Sequence, residues 1–182
     1  MKGVVFTEFM DMVDDVFSPE VLDVVIEKSQ LPNNGAYTSI GTYDHQEIVR
    51  MTVNLSEHLD IPVADLLEAF GKHLFGRFTQ MFPAFFVEPE HAFDFLKKVD
   101  SYIHVEVKKL YPDAELPRFF CEQTDKQTLT LYYISSRHFE DLAIGLIKGC
   151  LKHYQNQATI THHATVYEDK EAIKIVITLQ AS

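Results

Sequence analysis

The texture of this chain changes at Pro117, and that change limits the fold more than any other feature of the sequence. Before it, apolar residues return at helical spacing; after it, aromatic and β-branched runs read as strands. Val4, Val5, Phe6, Phe9, Met12, Val13 and Val16 form one apolar stripe, and Ser18-Pro19 predicts the start of a second helix, because proline suits a first turn. Leu31-Pro-Asn-Asn-Gly35 is a loop by its breakers. Residues 44–59 regain the helical period, and the run from Ile61 to Phe75 predicts another helix. Phe82-Pro83 and Glu88-Pro-Glu90 break the chain before a helix that carries His104. That helix should end near Tyr111-Pro112, since the residue before a proline disfavours helix.

Beyond Pro117, residues 119–123 and 128–135 read as strands. Residues 140–154 form a helical pattern with Leu142, Ile144, Leu146, Ile147 and Leu151 as its apolar positions. Residues 159–167 and 172–179 are strands joined at Glu168-Asp-Lys-Glu171, a hairpin pattern. A helical lobe followed by a mixed lobe with an antiparallel sheet is the α+β class. Residues 1–182 are expected to form a single domain, its helical lobe over about 1–65 and its mixed lobe over about 66–182.

The net charge of −11 argues against a nucleic-acid or anionic-membrane surface, both of which need a basic footprint, and favours a basic protein partner. The apolar runs fall short of a bilayer span, and the first ten residues lack the core and cleavage site of a signal peptide. Two cysteines, Cys121 and Cys150, make no disulfide framework, so a reducing cytoplasm is expected. Cys121 reads as a small buried hydrophobe.

The chemistry concentrates in three places. Tyr133, Ser135 and Arg137 alternate, so in an extended segment a phenol, a hydroxyl and a guanidinium share a face and offer a grip for carboxylate or phosphate. His104 lies upstream in an apolar-rich helix, and Pro117 sits between them in Leu116-Pro-Arg-Phe-Phe120. A metal-capable imidazole, a stiff apolar wedge and a carboxylate clamp together suggest a haem pocket. Taken alone, His104 could be an ordinary core histidine, Arg137 a surface ion pair and Pro117 a loop proline.

The set resembles the haem-nitric oxide/oxygen-binding (H-NOX) domain, the haem module of bacterial gas sensors and of soluble guanylate cyclase. The resemblance runs from Met1-Lys-Gly3 to the last strand, and Tyr-x-Ser-x-Arg is its most specific part. It implies haem b held between the two lobes, with His104 on the iron, Tyr133, Ser135 and Arg137 on the propionates, and Pro117 pressing on the porphyrin. Val5, Phe9, Leu74, Phe75, Phe78, Phe82 and Leu146 match positions that pack around the porphyrin, although each would serve equally as core. Relatives that hold oxygen carry a tyrosine five residues after the motif arginine; here Leu142 stands there and cannot donate. His73 and His138 are the polar residues that could take over that task.

The resemblance therefore implies a sensor, not an enzyme. It binds nitric oxide and carbon monoxide, excludes oxygen, and signals by release of His104 to a separate histidine kinase or cyclic-di-GMP enzyme. A monomer is the plain expectation, and no output domain is expected after the last strand. Some bacterial relatives hold zinc in a Cys/His cluster, yet here Cys150, His153 and His162 are scattered, with Thr165 and Ile173 where cysteines would stand. Two rival readings remain at this point. One is an enzyme with His104 as base, for which no phosphate loop or carboxylate dyad speaks. The other is a cofactor-free interaction module with an acidic surface.

Overall fold

The computed structural model describes residues 1–180 of the 182-residue chain. In chain order its elements are α1 (Gly3–Val16), α2 (Pro19–Ser29), α3 (His45–Leu59), α4 (Val63–Met81), a short 3₁₀ turn (Pro83–Phe86), α5 (Ala92–Lys98), a π turn (Val99–Ile103), α6 (His104–Leu110), β1 (Arg118–Gln123), β2 (Thr128–Ile134), α7 (Glu140–His153), β3 (Ala158–Tyr167) and β4 (Lys170–Leu179). This is the α+β class expected. The chain divides into two compact units, residues 1–77 with 141–146, and residues 78–140 with the chain from 147 onward.

In the first unit the helix ends follow local chemistry. Ser18 Oγ accepts from Val21 N at 3.3 Å ahead of Pro19, and Asp44 Oδ1 accepts from Gln46 N at 3.0 Å. Each such cap satisfies an amide that the helix leaves unpaired. Gln30 and Asp60, both left-handed at φ 48° and 54°, close α2 and α3. Most of the α1 stripe is buried, with Phe6, Phe9 and Val13 at 0% exposure and Val4 and Val5 half-buried, and Ile48, Met51, Leu55 and Phe70 are buried as well. Each such side chain contributes ~1.5–3 kcal/mol by leaving water. Val16, the last residue of α1, departs from this at 62% exposure. Helix α4 runs beyond Phe75 to Met81; the effective stop is Phe82-Pro83, where proline removes the next amide.

In the second unit the sheet order is β1-β2-β4-β3, every pair antiparallel. Leu129, Leu131 and Tyr133 of β2 and Ile175 and Ile177 of β4 fill one face, and Tyr132 stacks on Tyr167 at 4.2 Å on the other. Glu168 and Asp169 both have positive φ, which suits the tight turn of the β3–β4 hairpin. The single helix expected around His104 is instead three segments, α5, the π turn and α6. Cys121, expected to be buried, keeps part of its surface, with Sγ 3.8 Å from the Leu96 carbonyl. Cys150 is the fully buried one. Among the described residues no helix is long and apolar enough to cross a membrane.

Candidate cofactor site

His104 is the first residue of α6, directly after the π turn. A π turn rotates all later side chains relative to the preceding helix, and such turns are frequent at functional sites. The imidazole is 18% exposed; its Nδ1 is buried without a hydrogen-bond partner, and Asp100 Oδ1 lies 3.9 Å away. Burial pushes its pKa below the usual range, against the pull of the Asp100 carboxylate and the Pro117 backbone. A neutral ring with an uncommitted nitrogen is the form that binds metal.

Sequence reasoning missed Asp100. Arg118 Nε donates to both its oxygens at 3.0 and 3.1 Å, and the Phe119 amide donates to Oδ1 at 3.0 Å. One carboxylate thus pins the start of β1 to the π turn. The available signal was an aspartate four residues before a helical histidine, a spacing that puts both on one face.

The sheet then joins the histidine to the Tyr-x-Ser-x-Arg run. In the β1–β2 register Phe119 faces Tyr133, and its ring lies 5.3 Å from the phenol ring and 6.0 Å from His104. Pro117, whose backbone acts on His104, immediately precedes β1. So His104, Pro117 and Tyr133 are gathered at one end of the β1–β2 pair.

The extended alternation expected through Arg137 does not persist. Strand β2 ends at Ile134, and Ser135 Oγ accepts from the Arg137 amide at 3.2 Å. A hydroxyl that captures an amide two residues on makes a turn, and His138 follows with φ 53°. The three side chains are brought together by that turn, not by a strand face. Burial raises the Tyr133 phenol pKa; the Ser135 hydroxyl, the Phe139 backbone and the Arg137 charge lower it, while Glu140 raises it. Arg137 is 14% exposed, and its Nη2 donates to Glu115 Oε2. Glu140 Oε2 is buried without a partner.

Phe78 and Phe82 belong to the same unit, in a ring series Phe78–Phe82–Phe85–Tyr102 with centroids 6.0, 6.0 and 6.1 Å apart, ending in the π turn. Val5, Phe9, Leu74, Phe75, Leu142 and Leu146 belong to the first unit. There Phe9, Leu74, Phe75 and Leu142 are buried and Val5 and Leu146 half-buried, with Phe9 edge-on to Phe70 at 5.2 Å. His73 Nε2 stands 3.6 Å from Glu8 Oε2, and His138 is exposed. Cys150 Sγ points at the Ala92 carbonyl, 3.9 Å away, and His153 packs on Phe86 and Tyr154, whereas His162 is exposed on β3. Among the described residues no three of His, Cys, Asp or Glu gather as a metal cluster.

Residues 2–162 match the family model described as Haem-NO-binding. The unliganded Fe(II) H-NOX protein from K. algicida is 36% identical, with a TM-score of 0.92 over 100% of this chain and 98% of that one. The H-NOX protein from S. oneidensis in its Fe(II)NO state is 25% identical, with a TM-score of 0.90 over the whole of both chains. A point mutant of T. tengcongensis H-NOX, 21% identical over 100% of this chain and 98% of that one, shares the fold with a TM-score of 0.88. The chain belongs to the H-NOX family of haem-NO-binding domains, which are gas-sensor modules and not enzymes.

Proposed function

We propose that this chain is a nitric oxide sensor in which His104 is the protein ligand of a haem b iron. The observation that carries the reading is the His104 imidazole itself. It is mostly buried and held neutral, with an uncommitted Nδ1, on a helix that begins at a π turn. A buried polar atom without a partner is costly, and a ligand taken up at His104 would offset that cost. The gathering of Pro117, Phe119 and Tyr133 around it supports the same reading.

When bound, the haem supplies a ferrous iron able to coordinate a diatomic gas. The residues of this chain do the rest. Tyr133, Ser135 and Arg137 hold the propionates, Arg137 with a permanently charged fork. Pro117 offers an apolar wedge against the porphyrin. Val5, Phe9, Leu74, Phe75, Phe78, Phe82 and Leu146 supply apolar wall that keeps water out. Leu142 offers no hydrogen-bond donor, so nitric oxide and carbon monoxide are accepted and oxygen is not retained.

Release of His104 is the proposed output. If His104 were released, the π turn ahead of α6 is where that helix would yield, since it interrupts the regular helical hydrogen bonding. A separate cytoplasmic protein, a histidine kinase or a cyclic-di-GMP enzyme, reads that shift as an equilibrium between two conformations. A basic surface on this partner would complement the net charge of −11.

The test is an anaerobic absorption spectrum of the reduced, haem-loaded protein, taken before and after nitric oxide and then in air. Five-coordinate spectra before and after nitric oxide, and no stable oxygen complex in air, are the expected result. A stable oxygen complex would overturn the claim of oxygen exclusion. Absence of any Soret band after reconstitution would leave the acidic, cofactor-free interaction module as the better account.

A further inference from the structure

Arg137 is gripped by a carboxylate of this chain's own. Its Nη2 donates to Glu115 Oε2 and its Nη1 to the Glu115 carbonyl oxygen at 3.5 Å, so both terminal nitrogens of the fork meet one residue. The two partners differ sharply in exposure. The Arg137 side chain is 14% exposed, whereas that of Glu115 is 81% exposed. The guanidinium is thus desolvated by its surroundings rather than by Glu115, and a buried charge left alone is costly. Glu115 itself loses little on letting go, since water replaces the contact. A buried cation held by an exposed, easily rehydrated anion is the arrangement of a replaceable partner. Glu115 also lies in the segment between α6 and β1, two residues before Pro117, so the ion pair ties that segment to the turn after β2.

We infer that Glu115 is an internal competitor for the Arg137 fork, which a haem propionate must displace, and that it thereby tunes how tightly the chain holds haem. The inference rests on the haem reading above. It makes Glu115 a positioning residue, acting through Arg137 and not on the haem directly. Its carboxylate geometry matches that of a propionate, so the exchange of one for the other keeps the charge of Arg137 compensated throughout.

The experiment is haemin titration of wild-type protein, Glu115→Gln and Arg137→Lys, with transfer of haem to apomyoglobin as a second readout. Glu115→Gln should bind haem about 3-fold tighter and release it more slowly, the size expected for losing one exposed ion pair. Arg137→Lys should bind more weakly than wild type, because a lysine cannot present the fork. The exposed position of Glu115 makes misfolding of its variant a minor concern, and the circular dichroism of the haem-free protein checks it. Unchanged or weaker binding by Glu115→Gln, with normal uptake by wild type, overturns the competitor and leaves the haem reading intact. No uptake by wild type overturns both.

Discussion

Gly71 and Gly145 meet backbone to backbone. A Cβ on Gly71 would lie 2.7 Å from the Gly145 Cα and 2.4 Å from the Leu142 carbonyl oxygen; one on Gly145 would lie 2.8 Å from the Gly71 Cα and 2.2 Å from the Glu68 carbonyl oxygen. These atoms are main chain and cannot swing aside, so α4 and the first-unit part of α7 owe their approach to two missing methyl groups. Alanine at either position gains ~1 kcal/mol of helix propensity but costs ~1–3 kcal/mol in overpacking. Gly71→Ala and Gly145→Ala should therefore lower the melting temperature, by ~2–4 °C for each kcal/mol lost. Gly76, in the same α4, has nothing within 4 Å of its Cβ position, so Gly76→Ala should raise it. Thermal melts of the three variants decide, and a common direction for all three would refute the packing argument.

Glu8 and Arg77 form an ion pair of unequal partners. Arg77 Nε donates to Glu8 Oε2 at 2.6 Å and Nη2 to Oε1 at 3.3 Å, with side chains 6% and 40% exposed for Glu8 and Arg77 respectively. Removing the arginine strands a buried carboxylate, with His73 Nε2 at 3.6 Å as its nearest remaining cation candidate. Removing the charge of the glutamate leaves an arginine that can reach water. Arg77→Met should cost clearly more stability than Glu8→Gln, because only the first leaves a buried charge without its partner. Urea unfolding of both variants and of the double variant measures the asymmetry; equal losses would refute the argument from unequal burial.

Burial pushes the Cys121 thiol up to about 11 from an ordinary value of 9.0, with Asp100 adding to the rise. The folded protein then holds a proton that the unfolded chain gives up, so this contribution to stability is intact below pH 9.0 and lost as pH rises from there towards about 11. Cys121→Ala should flatten the fall in stability across that window, read by denaturant midpoints at successive pH values. The same burial predicts slow alkylation of Cys121 at neutral pH, since the thiolate is the nucleophile. Rapid labelling at pH 7.5, located by mass spectrometry, would contradict it.

The helices of the first unit, the start of α2 at Ser18-Pro19 and the β3–β4 hairpin were legible in the sequence because each is written in local chemistry. The π turn was not, since one extra residue in a helix alters neither composition nor the apolar stripe on either side. The run from Ile61 to Phe75 stopped short of the end of α4 at Met81, where the real barrier is the proline at 83. Tyr133, Ser135 and Arg137 were visible as residue types, yet the Ser135 turn that gathers them depends on one hydroxyl choosing a backbone amide. Asp100, Glu115 and the glycine pair were hidden for a further reason. Their partners are distant in sequence, and only the return of β1 along β2 or the packing of α7 segments on α4 makes them neighbours.

Leu142 carries the last prediction, and it rests on the haem reading. The side chain is 9% exposed, so a larger ring there should overpack its surroundings and cost ~1–3 kcal/mol. Leu142→Tyr nevertheless supplies the hydroxyl donor that the wild-type position lacks, and a donor favours a ligand that gathers negative charge on binding, as oxygen does. The reduced, haem-loaded variant should form a stable ferrous oxygen complex in air, while wild type forms none. Leu142→Phe separates shape from chemistry, because it brings the ring without the hydroxyl. Retention of oxygen by the tyrosine variant alone ties selectivity to the donor at this residue. Retention by both would assign the effect to the shape of the ring, and retention by neither would separate selectivity from a donor at this residue.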